Sequence, residues 1–334
     1  MQFKALPLHF CPDMVESWTK AALGTNQADP FCSTPAWQLA FHDAFSPDQR
    51  VLLKESDGNV LSFAEMILSP ERIFITPLEP AWLFGCPLLG KDAVTVFGEA
   101  LAAFSKMYAP TYPAIVVSGI RPGGILSKRL LNAAGRSFNI YLHSTGVQCA
   151  ASLAGGVDGY LSRRSANHRE KLRKTIKKAK NHGLSFERTI PRSVEEADAA
   201  YARMLAVELS SWKGIGKCGM AEPVVKDFYA FMMQRLAPSG TGRIIFARHD
   251  GKDVGFIFGG LAGKIYRGQQ FSYANDWKSL SIGNLMQLEK ITWLCEERIK
   301  RYDMGSLDGP RMHYKSHWTE KTISHQTWLF KKPV

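Results

Sequence analysis

A chain of 334 residues, 45% hydrophobic and 22% charged, has the composition of a folded globular protein, which excludes a fibre or an extended disordered chain. No run reaches the roughly 18 consecutive apolar residues of a membrane-spanning helix, and residues 1–10 lack the apolar core and cleavage site of a signal peptide, so a soluble cytoplasmic protein is expected. The formal net charge is +12, and the segment from Leu161 to Lys180 alone carries +8, with nine basic residues opposed only by Glu170.

In chain order, Ser33-Thr34-Pro35 opens the first predicted helix, with proline at the first helical position ahead of Trp37, Leu39, Ala40 and Phe41. Apolar runs at 51–54 and 59–68 flank Asp57-Gly58, an Asp-Gly pair that predicts a hairpin turn. A run at 72–76 follows, then Leu89-Gly90-Lys91 opening a helix to about Lys106, then a strand at 114–118. The second half repeats this order. Ser193 and Glu196 form a capping box for a helix to about Trp212, and Pro223 starts another. Runs at 243–248 and 253–261 flank Asp250-Gly251, the run 264–273 follows, Ile282-Gly283-Asn284 opens a helix to about Arg298, and a strand covers 301–305. Asp57 and Asp250, Gly58 and Gly251, and Gly90 and Gly283 are each offset by 193 residues. Two domains of related topology are therefore expected, 1–150 and 151–334, divided where 150–159 is rich in Gly, Ala and Ser.

After that division, Leu161, His168, Leu172, Ile176 and Ala179 recur at helical spacing, predicting one basic helix over 161–182 with Gly183 at its left-handed cap. Cations of one sign along a helix suit a polyanion or an anionic lipid surface, whereas the absence of interleaved aromatics argues against stacking on single-stranded bases. The six cysteines are scattered without CxxC spacing and read as free thiols. His313 and His317 have no further partners at recognisable metal spacing, so no metal is assigned.

Tyr160-Leu161-Ser162, Ser165, Arg169, Leu172-Arg173-Lys174 and the run from Lys177 to Gly183 resemble the signature of the CelD-type acetyltransferase family associated with cellulose biosynthesis. The resemblance continues through Asp250-Gly251, Gly283, Tyr302-Asp303-Met304-Gly305 and Tyr314-Lys315-Ser316-His317-Trp318, and includes Phe31 to Phe45. That family belongs to the GNAT superfamily and is close in architecture to the FemABX peptidyltransferases. The resemblance implies an α/β (α+β) fold of two tandem GNAT-like domains, each a mixed, mostly antiparallel sheet flanked by helices. It further implies acyl transfer to an amine, with the donor in the second domain; the first, where 72–87 and Gly90 show no comparable polar constellation, is expected to support acceptor binding.

Within that frame the candidate donor site is Ser281, Ile282, Gly283 and Asn284, where a helix mouth favours an anion, with Lys315 as a further phosphate contact. Superfamily members carry an (R/Q)xxGx(G/A) turn there; Ser279 to Asn284 keeps one glycine and lacks the Arg or Gln, so the segment also reads as a plain tight turn. Glu208 is the candidate base for the incoming ammonium and Tyr314 the acid for a leaving thiolate, and Asp303, which follows a strand entry, is the third candidate catalytic residue. Trp212 and Lys213 are candidate substrate contacts, or alternatively a helix end and ordinary core. Arg267, Gln269, Gln270 and Tyr273 are too polar for a sealed sheet centre, which suggests a wet cleft, or alternatively a solvent-facing edge. The expected co-substrate is an acyl-CoA or acyl-carrier-protein thioester, and the acceptor a small-molecule, peptide or saccharide amine. The basic helix suits a carrier protein or tRNA as partner. Two alternatives stand beside this reading: FemABX-like transfer of an amino acid from aminoacyl-tRNA, and a non-catalytic basic binding module.

Overall fold

The structure is a computed structural model that describes residues 4–5, 12–26, 28–307, 309 and 312–333. Asp308 and Arg311, in the irregular segment after the 301–305 strand, lie outside the described residues. The chain forms two compact units, residues 1–146 with 324–334, and residues 147–323.

In the first unit, β1 (Lys4–Ala5), α1 (Pro12–Gly24) and α2 (Pro35–Phe45) precede the hairpin of β2 (Arg50–Ser56) and β3 (Asn59–Ser69). Its loop is two residues long, and Asp57 and Gly58 have φ of +50° and +74°, the positive pair that a primed turn requires. Next come β4 (Arg72–Thr76), β5 (Leu88–Leu89), α3 (Ala93–Met107), β6 (Ala114–Ile120) and α4 (Ile125–Ala134). β4 and β6 are parallel, so the chain must cross over between them, and α3 makes that crossing. Phe63, Phe97, Phe104 and Ile115 are fully buried in the resulting core.

β7 (Asn139–Ser152) leads into the second unit, followed by α5 (Gly156–Ser162), α6 (Ala166–Asn181), β8 (Ser185–Thr189), α7 (Val194–Ser210), α8 (Trp212–Ile215) and α9 (Pro223–Leu236). Then come β9 (Gly242–His249), β10 (Lys252–Ala262), β11 (Ile265–Tyr273), α10 (Ile282–Glu296) and β12 (Arg301–Ser306). The sheet order is β7-β12-β11-β10-β9-β8, and only β11 and β12 run parallel, joined by α10. The capping box at Ser193 forms, with the Glu196 N–H donating to Ser193 Oγ at 3.2 Å. Asp250 and Gly251 repeat the positive φ pair of the first hairpin, at +47° and +76°.

β13 (Lys321–Lys331) pairs with β6, and Trp328 and Phe330 enter the first unit's core. The contact boundary thus falls at 146 instead of 150, and the last strand returns to the first unit, whereas the expected second domain ran to 334. Pairing partners, not chain order, decide which unit a strand completes.

The basic segment expected as one helix over 161–182 is two, α5 and α6, broken at residues 163–165. Arg164 causes the break. It is buried, lies over the Tyr160 ring at 4.8 Å and pairs with Glu320, a geometry a continuous exposed helix face would not permit. Ser165 then restarts the helix, its hydroxyl accepting the His168 N–H at 3.2 Å. Gly183 ends it at φ +66°. The third 193-residue coincidence does not survive as an equivalent position. Gly90 lies three residues before α3 at φ +107°, whereas Gly283 sits inside the first turn of α10.

Candidate active site

β11 and β12 pair only at Ile265↔Arg301, Tyr266↔Tyr302 and Arg267↔Asp303. Beyond this point β12 bulges: its register against β7 slips between Asp303 and Gly305, and Gly305 has φ +76°. A bulge bends its strand and increases the local twist, so β12 leaves β11. β11 has a bulge of its own, because Phe258 faces Gln270 and Gly259 faces Gly268, leaving Gln269 as the extra residue. A cavity of about 440 Å³ occupies the gap. Gly268 to Tyr273 form one wall, Tyr302 and Met304 stand on β12, Ile257 and Phe258 contribute apolar surface from β10, and Tyr314 and Lys315 belong to the same lining.

The polar wall is assembled at the α7–α8 junction. The Ser211 hydroxyl accepts the N–H groups of Lys213 and Gly214, at 3.1 and 3.3 Å, and so caps the short α8 and fixes Lys213. The Lys213 ammonium donates to Gln270 Oε1 at 2.9 Å and to the Phe271 carbonyl at 3.0 Å, and lies 3.3 Å from Glu208 Oε1. Burial lowers the Lys213 pKa, with Glu208 opposing that shift. Gln270 donates in turn to the Tyr229 hydroxyl at 2.8 Å, and burial pushes that hydroxyl up to about 12. Glu208 is fully buried and does not line the cavity; Lys213 stands before it. Its Oε1 also accepts the Met220 N–H at 3.1 Å, while Oε2 has no partner among the described residues. Gly219, at φ +144°, leaves room that any Cβ would take from this carboxylate.

On the other wall, Tyr314 lies in a 3-10 turn (His313–His317), its ring edge-on to Phe271 at 5.4 Å. Burial holds its hydroxyl well above the ordinary tyrosine range, hence protonated. Lys315 donates to the Ser306 carbonyl at 2.6 Å. Two buried polar atoms of lining residues, Gln269 Nε2 and Ser272 Oγ, have no partner among the described residues. Such orphaned groups are costly in a finished core and suit a wall completed by a ligand.

The cavity thus brings together Trp212, Lys213, Gln269, Gln270, Tyr273, Tyr314 and Lys315. Asp303 is buried against Arg301, which donates to both its oxygens at 2.7 and 2.8 Å, and Arg267 is buried with Gln148 as acceptor at 2.6 Å; neither lines the cavity. The mouth of α10 is narrower than the glycine suggests. Ile282 is fully buried, and a Cβ at Gly283 would meet Phe271 at 3.1 Å and Tyr273 at 3.3 Å. Sequence reasoning passed over Gln287, Tyr302 and Tyr229. The Tyr302 hydroxyl donates to Gln287 Oε1 at 2.8 Å inside the lining. A glutamine on the buried face of α10 was the available signal. No group of three or more His, Cys, Asp or Glu able to hold a metal occurs among the described residues, and no helix among them is long and apolar enough to cross a membrane.

No curated protein matches the chain by sequence. Residues 166–316 match the family described as Acetyltransferase (GNAT) domain. Among solved structures, FemX is similar over 100% of this chain and 98% of its own, at 10% identity and a TM-score of 0.67. A conserved protein of unknown function from Bacteroides thetaiotaomicron VPI-5482 aligns over 98% and 99%, at 10% identity and 0.66. L-PGS from Bacillus licheniformis aligns over 96% and 92%, at 14% identity and 0.56. At these identities the structures speak for the fold alone, while the match over 166–316 covers the cavity and the strand split that opens it. Residues 166–316 thus match a GNAT acetyltransferase domain, in a chain whose fold is similar to these solved structures over nearly its whole length.

Proposed function

We propose that this protein is an N-acyltransferase that moves an acyl group from a thioester, an acyl-CoA or an acyl-carrier protein, to an amine by direct attack, and that within the superfamily it belongs with the CelD-type enzymes. The observation that carries this reading is the gap between β11 and β12, open from Gly268 onward and lined by Lys213, Gln270 and Tyr314. A thioester lying along the unpaired stretch of β11 presents its carbonyl carbon to an amine. The C–N bond forms, the C–S bond breaks, and the proton released by the amine ends on the leaving sulfur. Tyr314, whose hydroxyl is held above the ordinary tyrosine range by burial, donates a hydrogen bond to the thiolate as charge develops there. Lys213 orients Gln270 and the β11 backbone at the reacting carbonyl, and Glu208, out of reach of substrate, positions Lys213. We assign acceptor support to the first unit.

The test is thiol release from acetyl- and longer acyl-CoA, and from acylated carrier protein, in the presence of an amine pool. Tyr314→Phe is expected to lower turnover by about 100-fold while leaving donor affinity within a few-fold. A wild-type protein that releases no thiol from any of these donors, or a Tyr314→Phe variant as fast as wild type, overturns the reading.

A further inference from the structure

Two smaller hollows continue the cavity along the surface of the second unit. One, of about 350 Å³, shares Trp212 and Tyr273 with the cavity and adds Asn275 and Lys278. The next, a groove of about 330 Å³, lies between α6 and Ser279, Leu280 and Ser281, with Lys171, Lys174 and Lys178 on its α6 side. Lys278 of the one and Ser279 of the other are adjacent in the chain, so successive residues of one loop line both hollows. The loop that carries these lining residues thus leads from the cavity, past Trp212 and Tyr273, to the lysines of α6.

These cations are poorly compensated. Lys171, Lys174, Lys178 and Lys278 are all exposed. Glu170 is the one acid in the groove lining; it already faces Arg173 at 3.2 Å and Lys174 at 3.7 Å. Asp276 is the nearest acid in sequence to Lys278, and the ammonium groups of Lys171 and Lys278 have no ion-pair or hydrogen-bond partner among the described residues. Lys178 donates to the Ser279 carbonyl at 3.2 Å, which ties α6 to the loop without neutralising it. Like charges three and four residues apart oppose helix formation, so α6 carries a row that an anion would relieve. The mouth of α10, the other anion-seeking feature nearby, is narrowed by the Phe271 and Tyr273 rings over Gly283.

We propose that the phosphate-bearing part of the donor lies in the groove between α6 and residues 275–281, held by the ammonium groups of Lys171, Lys174, Lys178 and Lys278 instead of by backbone N–H groups at the mouth of α10. This rests on the acyl-transfer reading for its donor, but the groove itself is testable without catalysis. The shared chemistry is a phosphate ester, whose source is a nucleotide-linked thioester such as CoA or the phosphodiester backbone of an RNA-linked ester.

The experiment compares wild type with Lys171→Glu/Lys174→Glu/Lys178→Glu and with the corresponding triple glutamine variant, each first checked for a native circular dichroism spectrum. Inorganic pyrophosphate is expected to raise the melting temperature of wild type and to leave both triple variants unshifted. CoA and unfractionated tRNA are then titrated at 50 and 200 mM KCl; the arm whose affinity falls at least about 100-fold in the glutamate variant, with a flatter salt dependence, identifies the source. Acetyl-pantetheine, which has no phosphate, serves as the control for the cavity and is expected to react equally with wild type and both variants. No pyrophosphate shift in wild type, or equal affinities of wild type and variants in both arms, overturns the groove. Failure of wild type to use acetyl-pantetheine or acyl-CoA while the pyrophosphate shift persists overturns the acyl-transfer reading and leaves the groove standing.

Discussion

Glu208 and Lys213 illustrate how a charge pair can be both costly and necessary. Glu208 is fully buried and Lys213 nearly so, and the pair is embedded among Gln270, the Phe271 carbonyl and the Met220 N–H. Removing one partner of such a pair strands the other charge. Lys213→Met is therefore expected to cost about 3 kcal/mol, and Glu208→Gln/Lys213→Met less than the sum of the two single changes. Urea denaturation of the four proteins gives the coupling energy. Additivity within about 0.5 kcal/mol would show that the two groups do not interact. Gln270 behaves differently, because its amide serves two masters: the oxygen accepts from Lys213 and the nitrogen donates to Tyr229, so the side chain has one orientation at the cavity wall.

At the level of elements, the β8 edge of the sheet in the second unit is held by arginines. Arg203 on α7 donates to Glu187 on β8 at 2.7 Å and to Asp253 on β10 at 2.8 Å, and its guanidinium lies 3.8 Å from the Phe246 ring centroid. Arg248 adds a second contact to Glu187 at 2.9 Å. The hydrogen bond from Arg203 is the main cause that holds the Glu187 carboxyl below its ordinary range. A depressed carboxylate pKa stabilises the fold above the unfolded value, and that stabilisation is lost as pH falls through the folded value. Both side chains are about one-third exposed, so Arg203→Met is expected to cost only about 1 kcal/mol at pH 7. The difference from wild type should shrink as pH drops below the carboxylate range, read from urea midpoints at pH 7 and pH 3.5. A difference that grows on acidification would contradict this account. The bulges belong to the same scale. Gln269 is displaced in β11 and Met304 in β12, and the two irregularities together open the sheet where a continuous ladder would have closed it.

For the whole molecule, the notable fact is the return of β13 to the first unit. Phe330 is fully buried there, packing against Phe97 with ring centroids 5.7 Å apart. Phe330→Ala is expected to destabilise the first unit by about 3–5 kcal/mol, seen as lost amide protection in β6, while pyrophosphate binding by the second unit persists. Equal loss of protection in β6 and in β10 would mean that the two units unfold as one. The sequences of the two units interleave at this last strand.

Much of this protein was legible in its residues. The two Asp-Gly hairpins, the Ser193 cap, the proline starts of α2 and α9 and the glycine end of α6 all follow from local φ/ψ and capping chemistry, which act over a few residues and leave local signatures. Of the four residues read as too polar for a sealed sheet centre, Gln269, Gln270 and Tyr273 line the cavity, whereas Arg267 is buried against Gln148. What the sequence could not decide were matters of partnership across long separations. Arg164 breaks the basic helix because Glu320, 156 residues away, pulls it inward. Glu208 lies behind Lys213, and Asp303 turns to Arg301, because side-chain direction depends on strand register and helix packing. A strand's pairing partner is chosen by the tertiary fold, since period-two patterning gives a strand its faces but not its neighbours. For that reason only the structure could place the gap between β11 and β12 and return the last strand to the first unit.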